Sequence, residues 1–420
     1  MKSDHHQAEA EGPNPIVRDH HPVNRLTPLV FVIAFGVVSM FADFVYEGAR
    51  SVAGPYLATL GAGAALVGLI TGAGEAVALV FRLLTGVVAD RTKRYWPISI
   101  LGYAITVLSV PLLATVGQLW LASSLIVAER FGKAVRTPAR DTMLAQASTD
   151  MGRGWGFAIH EALDQSGALV GPLVVALALA ITGSYRLGFA VLAIPGVLVL
   201  ILLFWLRSAV PDPSRYERAA DGRRGNAAVI SSPPSSRFWI YTGFTSLTMF
   251  GFATFGILGY HLQARHVLVS WQIPIVYALA MGVAALASLA SGRAYDKIRL
   301  RVLVVVPLLG AVVPFLSFSL DPILVWIGGA VWGAAMGVHE STMRAGVADL
   351  VPSESRATAY GIFTGVYGIA WLIGSVAIGV LYSVGLSQVV AFTVVVQALA
   401  LLTFLLFLGR HGDVGAKSAS

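Results

Sequence analysis

Twelve stretches of about 20 or more mostly apolar residues follow one another along this chain, each long enough to cross the hydrocarbon core of a bilayer as a helix. They lie at 27–58, 64–89, 96–116, 119–141, 155–182 and 185–206, then 238–262, 271–291, 300–319, 322–348, 357–383 and 386–409. In lipid every backbone polar group must find its partner inside the protein, so runs of this length fold as helices packed on one another. Composition agrees. Of the 420 residues 56% are hydrophobic and 12% charged, with mean hydropathy +0.75, whereas a soluble domain carries about a quarter charged residues. The 26 residues before the first run are polar, and that run is too long for the core of a cleavable signal peptide.

The formal net charge of +7 raises nucleic-acid binding as an alternative. The cations argue against it, because they cluster between the apolar runs. Lys2, Arg18 and Arg25 precede the first; Arg91, Lys93 and Arg94 follow the second; Arg136, Arg140 and Arg153 surround the end of the fourth. Six arginines lie in 207–237, while Arg293, Lys297, Arg299 and Arg301 follow the eighth run and Arg356 the tenth. The alternate loops offer only Arg186 and Arg265. This is the positive-inside pattern, and it places both termini in the cytoplasm. The absence of cysteine excludes disulfides, thiolate metal sites and cysteine nucleophiles. No cofactor and no metal are expected. His5-His6 and His20-His21 lie in a polar tail and read as tail composition.

Segment 207–237 is rich in proline and serine and reads as a mobile cytoplasmic linker. It divides the chain into a disordered tail 1–26, a bundle 27–206, the linker, a second bundle 238–409 and a tail 410–420. The two halves also repeat. Gly86-Val-Val-Ala-Asp90-Arg91-Thr-Lys93-Arg94 follows the second run, and Gly292-Arg-Ala-Tyr-Asp296-Lys297-Ile-Arg299 follows the eighth. The expected fold class is an all-α membrane protein with twelve transmembrane helices in two pseudo-symmetric six-helix bundles. Parallel repeats of this kind belong to transporters.

These residues resemble the Major Facilitator Superfamily, whose loop motif Gly-x-x-x-Asp-Arg-x-Gly-Arg-Arg is matched by Gly86, Asp90, Arg91 and Arg94. Lys93 stands where the family has its second glycine, and Tyr95 replaces a basic residue. The resemblance implies that Gly86 packs against a helix of the other half, that Asp90 sits near the start of the eleventh helix, and that Arg91 or Arg94 reaches Asp141 to latch a cytoplasmic gate; simple orientation charge is the alternative. Gly167-x-x-x-Gly171-Pro172 is similar to the family's antiporter motif, for which an ordinary tight helix crossing is the alternative. The run Arg130-Phe-Gly-Lys133-Ala-Val-Arg136-Thr-Pro138-Ala-Arg140-Asp141 is similar to a signature of a poorly characterised prokaryotic branch labelled as efflux permeases, which implies residence in the plasma (inner) membrane.

Ionisable residues within the apolar runs are the chief functional clue, since each costs about 2.5–3.5 kcal/mol to insert at mid-bilayer. The first run carries Asp43, Glu47 and Arg50, the second Glu75 and Arg82, the fourth Glu129 and Arg130, and the fifth His160, Glu161, Asp164 and Gln165. The second half is almost bare, with His261 near one end of the seventh run and the pair His339-Glu340 in the tenth. Asp43 and Glu47 share a helix face, and Arg50 can neutralise Glu47. A carboxylate held out of water near the middle of a span can load and release a proton, which makes Asp43 the first candidate carrier. The alternative for Asp43 is a permanent pair with Arg130 or Arg50. Arg130 stays charged and can tune a neighbouring carboxylate. Glu161 and Asp164 share a face, and one of them is expected to meet Glu75 or Arg82. His339 is a substrate or proton ligand, or a hydrogen-bonding partner of a neighbouring helix.

The expected function is proton-coupled efflux of a small amphipathic or cationic molecule by alternating access, with protons, a small-molecule solute and the lipid bilayer as partners, no nucleic acid, and a monomeric protein. Proton-coupled uptake is the alternative. A polytopic membrane enzyme is not expected, because the chain has no His-Glu-x-x-His, no Gly-x-Ser-x-Gly and no paired-aspartate motif. A channel or a non-transporting sensor is a further alternative.

Overall fold

The computed structural model describes residues 25–149, 151–216, 235–351 and 356–408. The expected N-terminal and C-terminal tails fall almost wholly outside these, whereas 207–216 and 235–237 of the expected mobile strap are described, and helices take in 207–209 and 236–237. The described residues are helical and contain no strand. Their elements are α1 (Pro28–Thr59), α2 (Ala64–Thr92), α3 (Tyr95–Leu112), α4 (Leu119–Ala147), α5 (Arg153–Thr182), α6 (Tyr185–Val191) and α7 (Ala193–Ala209). After the linker come α8 (Ser236–Phe250), α9 (Phe255–Ala264), α10 (Gln272–Ile298), a 3-10 segment Arg299–Val304, α11 (Val305–Ser317), α12 (Pro322–Leu350), α13 (Arg356–Val384), α14 (Leu386–Thr403) and a π turn Phe404–Leu408. Among the described residues, ten stretches are long and apolar enough to span a membrane.

Capping explains where several helices begin. The Thr27 hydroxyl accepts from the Val30 amide at 3.4 Å with Pro28 in the first turn, and Asp321 does the same for the Ile323 amide at 2.8 Å ahead of Pro322. Side chains also explain two departures from the apolar runs. The fourth run, expected to end near 141, continues as α4 to Ala147. Arg136 and Arg140, counted above among the cytoplasmic cations, lie well inside this helix, and Arg136 is completely buried. Hydropathy ends a helix where charge begins, but a charge with a partner inside the protein does not.

The seventh run is broken in two. Between α8 and α9, residues 251–254 leave the helix. The carbonyls so freed find side-chain donors: Gln397 Nε2 donates to Thr248 O at 2.8 Å, Trp371 Nε1 to Phe252 O at 3.1 Å and Trp332 Nε1 to Ala253 O at 2.9 Å. A discontinuous helix survives at membrane depth only with such replacement partners.

Helix α1 packs on α5 and α7, α2 on α4, and α3 on α4 and α7. Beyond the linker, α10 and α11 pack on α12, and α8 and α11 on α14. Helix α13 packs on α8 and, across the halves of the chain, on α2; α1 meets α9, and α5 meets α10. At α1/α9 the backbones touch, and a Cβ on Gly54 would run into the Gly256 carbonyl. Close by, the hydroxyls of Thr71 and Thr254 bond at 2.9 Å and Tyr185 donates to Gln263 at 2.8 Å. The end of the molecule formed by these residues is closed.

Candidate functional site

Eight charged side chains meet between α1, α2 and α4, all on the first half of the chain. Asp43, Glu47 and Arg50 come from one face of α1, since they recur every three or four residues. Helix α2 brings Glu75, and α4 brings Glu129, Arg130, Lys133 and Arg136. The last three repeat at intervals of three and so climb one face of α4. Arg136 Nη2 donates to Asp43 Oδ1 at 2.8 Å, and Arg50 Nη2 donates to Glu75 Oε1 at 2.7 Å. Arg50 Nη1 lies 3.6 Å from Glu47 Oε2, Arg130 Nη1 3.5 Å from Glu75 Oε1, and Arg130 Nε 3.4 Å from Glu129 Oε2. Lys133 Nζ stands between Asp43 Oδ2 and Glu47 Oε1, 4.0 Å from each.

The cluster is dry. Of its side chains Lys133 has the greatest exposure, at 23%. Four carboxylates face four cations, so the group is electrically neutral when all are ionised. Glu129 Oε1 is buried without a partner. Aromatic faces supply the remaining stabilisation: Lys133 Nζ lies 3.7 Å and the Arg130 guanidinium 4.5 Å from the Tyr46 ring centre, and Arg136 lies 4.5 Å from that of Tyr103.

One bond ties this cluster to the other half of the chain. The Tyr277 hydroxyl of α10 donates to Glu47 Oε2. Tyr277 belongs to an aromatic wall, its ring 4.6 Å from that of Phe255, which in turn is 5.6 Å from Trp332. Glu340, on α12, is exposed and within electrostatic reach of Arg50. Its neighbour His339 points the other way, buried with its ring 5.3 Å from that of Tyr367 and Nε2 unpartnered.

Several expectations need correction. Asp43 is paired, but with Arg136 and Lys133 instead of Arg130 or Arg50, because α4 runs on far enough to carry Arg136 past it. Of the two partners expected for Glu161 or Asp164, Glu75 is instead held by Arg50 and Arg130. Glu161 is exposed and accepts from Gln165 at 2.9 Å, one turn along α5. Gly86 faces Pro138 of α4, in the same half, with 3.7 Å between that ring and an added Cβ. Gly292 faces nothing within 4 Å. Asp141 bonds Arg140 Nε at 2.9 Å, so the expected pair with Arg91 or Arg94 is replaced by one within α4, and both of those arginines are exposed. Asp90, Asp296 and Lys297 are exposed as well. The side chains at 352–358, where Asp90 is expected to dock, lie outside the described residues. In the second half the corresponding cation does reach an acid: Arg299 Nη1 is 3.4 Å from Asp349 Oδ2, which also accepts from Tyr295 at 2.8 Å.

Gly167 and Gly171 press α5 against α1, where a Cβ on either would strike the carbonyls of Met40 and Phe44, and Pro172 follows inside α5. That is the tight helix crossing. Potential metal ligands meet once among the described residues: atoms of His160, Glu161 and Asp164 lie within 4.8 Å of one another. His160 Nε2 is engaged at 2.8 Å with Ser39, and Arg140 lies within electrostatic reach of Asp164, so a cation there would compete with an arginine. Sequence reasoning passes over Tyr46, Tyr277, Lys133 and Arg136 as members of the site. The three-residue spacing of Arg130, Lys133 and Arg136 is the available signal for the last two.

A helical membrane protein with a neutral charge cluster in one half, an aromatic wall in the other and a hydrogen bond between them has the build of a solute transporter. The chain belongs to the Major Facilitator Superfamily, whose family model matches residues 33–375 and 238–419. An uncharacterized protein of Mycobacterium tuberculosis (strain ATCC 25618 / H37Rv) is 48% identical over 379 residues, covering 88% of this chain and 91% of its own. An uncharacterized MFS-type transporter of Methanocaldococcus jannaschii is 26% identical over 365 residues, covering 84% and 88%. Among solved structures the chain is similar to a point mutant of the nucleoside transporter NupG (TM-score 0.71, 14% identity, 89% of this chain and 100% of that one). It is also similar to a bacterial homolog of the human lysosomal transporter Spinster in an inward-facing, occupied conformation (TM-score 0.69, 16% identity, 89% and 95%). Likeness at such identity concerns the fold. The chain is thus a membrane transporter of this superfamily.

Proposed function

We propose that this transporter is a proton-coupled exporter that exchanges a small cationic or amphipathic solute for protons. The observation that carries the reading is the neutral cluster tied to α10 through Glu47 and Tyr277. A neutral group of charges in a medium of low dielectric resists net gain of charge, so an arriving cation is held well only if another leaves. That is the logic of exchange. Glu47 is the proton carrier in this scheme, because its carboxylate holds the bond between the halves and a proton on it weakens that bond. Asp43, with a fully buried guanidinium at 2.8 Å, serves as a structural pair. Glu75, Glu129 and Arg130 form the rest of the pathway, with Glu340 and the aromatic wall facing the solute. Asp164, Glu161 and His339 lie at its margins.

The ten apolar spans become twelve when α4 is added and Gln272–Ser317 counts as two crossings. The repeated pairing, α2 and α3 on α4 before the linker and α10 and α11 on α12 after it, supports two six-helix bundles that rock about the site. Exposed Arg91, Lys93 and Arg94 around the end of α2 and Arg293, Lys297 and Arg299 around the end of α10 support cytoplasmic termini in a prokaryotic inner membrane, even with Arg136 and Arg140 removed from the count. One-for-one exchange with a cation moves no net charge, so the pH gradient drives it, at about 1.4 kcal/mol per tenfold difference in proton activity.

The test uses everted membrane vesicles, an imposed pH gradient and radiolabelled tetraphenylphosphonium as a cationic probe. The wild type accumulates the probe only with the gradient present. Glu47→Gln loses that dependence yet keeps probe counterflow. Undiminished gradient-driven accumulation in the variant removes Glu47 as carrier, and accumulation by the wild type in the opposite direction establishes uptake.

A further inference from the structure

On the cytoplasmic side, where the loop motif departs from its family pattern, the structure contains a cavity of about 680 Å³. It lies between the α2–α3 turn, the end of α4 and the first residues after α7. Lys93, Arg94 and Arg207 bring three cations to it, and Asp212 brings one acid. That acid is committed locally, accepting from the Ser214 amide at 3.1 Å and its hydroxyl at 2.5 Å. The cavity therefore presents net positive charge.

Its base is the N-terminus of α3, an 18-residue helix. Arg94 occupies the cap position without a side-chain cap bond. The first-turn amides of Tyr95 and Trp96 have no acceptor inside the helix, and no other partner among the described residues. Such amides, with the positive end of the helix dipole behind them, favour an anion. A second, independent feature points to a ligand. Gln146, from α4, lines the same cavity, is 8% exposed, and has a side-chain oxygen with no hydrogen-bond partner. A buried amide without a partner costs about 1–3 kcal/mol, and a ligand that bonds it recovers that cost. Its terminal amide offers an acceptor or, turned over, a donor.

The walls are fixed. Trp96 Nε1 donates to Val210 O at 3.0 Å, the Arg25 amide to Ala209 O at 2.7 Å, and the Tyr216 hydroxyl to Leu26 O at 2.7 Å. These bonds anchor the start of the linker against α3 and the residues before α1.

We infer that this cavity is a phosphate-binding site, taking a phosphate group carried by an anionic phospholipid headgroup or free in the cytoplasm. Three cations and two open amides are the donor set a phosphate requires, and the Gln146 amide, turned over, adds a further donor. Basic pockets at the cytoplasmic ends of membrane helices bind lipid headgroups by the same chemistry. The two departures from the loop motif then have a purpose: Lys93 adds an ammonium, and Tyr95 opens the helix whose amides hold the anion.

The test measures thermal stability of the purified full chain in detergent as ligand is titrated. One arm adds phosphatidylglycerol, with phosphatidylcholine as the neutral control. The other adds inorganic phosphate, with chloride at matched ionic strength. A saturable rise with phosphatidylglycerol alone assigns the site to a lipid headgroup, and a rise with phosphate as well assigns it to the phosphate group itself. In Lys93→Gln/Arg207→Gln the half-saturating concentration rises about 30-fold, roughly fivefold for each cation near an anionic group. Both positions are exposed, and an unliganded melting point equal to the wild type's shows that the variant is folded. Equal stabilisation by phosphatidylcholine, no response to either phosphate source, or an unchanged response in the folded variant overturns the proposal.

Discussion

Replacing Arg136 with methionine removes a fully buried guanidinium and leaves Asp43 in the interior with Lys133, at 4.0 Å, as the nearest remaining cation. Removal of one member of a buried ion pair costs about 3–5 kcal/mol, because the other is stranded. Two features of the site place the loss near the lower end of that range. Lys133 compensates part of the charge, and Arg136 itself has Nε and Nη1 without partners, so its burial is already incompletely compensated. Loss of the Arg136 contact with Tyr103, at 4.5 Å, adds about 0.5–2 kcal/mol. The second variant in the cycle, Asp43→Asn/Arg136→Met, removes the stranded charge and recovers all but that aromatic term. Unfolding free energies from titration of detergent-solubilised protein with sodium dodecyl sulfate, followed by circular dichroism, measure each corner. A loss under about 1 kcal/mol in Arg136→Met, or a double variant no more stable than the single one, refutes the view that Asp43 and Arg136 form a structural pair.

Glycine positions separate real helix crossings from apparent ones. Gly167→Ala forces α5 off the α1 backbone and lowers stability by about 1–3 kcal/mol, whereas Gly86→Ala, with 3.7 Å to Pro138, changes it little; detergent melting curves of the two variants check the contrast. Trp332→Phe leaves the Ala253 carbonyl without its donor and costs about 1–3 kcal/mol, read in the same unfolding titration.

The bilayer makes the spans legible, because an apolar run of sufficient length has few folds open to it. It does not make the interior legible. Arg136 and Arg140 look like orientation charges until α4 is seen to continue beneath them. Asp43 declares itself as functional by being costly, but its partners Lys133 and Arg136 come from α4, about 90 positions away, and spacing along one helix says nothing about a neighbouring one. Tyr277 is hidden for the opposite reason: a tyrosine in an apolar run looks like core until its hydroxyl meets Glu47. The break after Gly251 depends on indoles 79 and 119 residues further on, which no local pattern reveals. Gly86 matches the family motif in type yet packs within its own half, so the motif predicts the residue and not its neighbour.

The interruption between α8 and α9 has a mechanical consequence. A continuous helix transmits a tilt from end to end, whereas this one carries a joint whose carbonyls hang on side chains from α12, α13 and α14. The outer piece, α9, lies against α1 at Gly54, and the inner piece, α8, lies against α13 and α14. Opening the closed end would therefore swing α9 about a hinge while α8 stays seated, and the indole bonds set how far it can travel before water must enter.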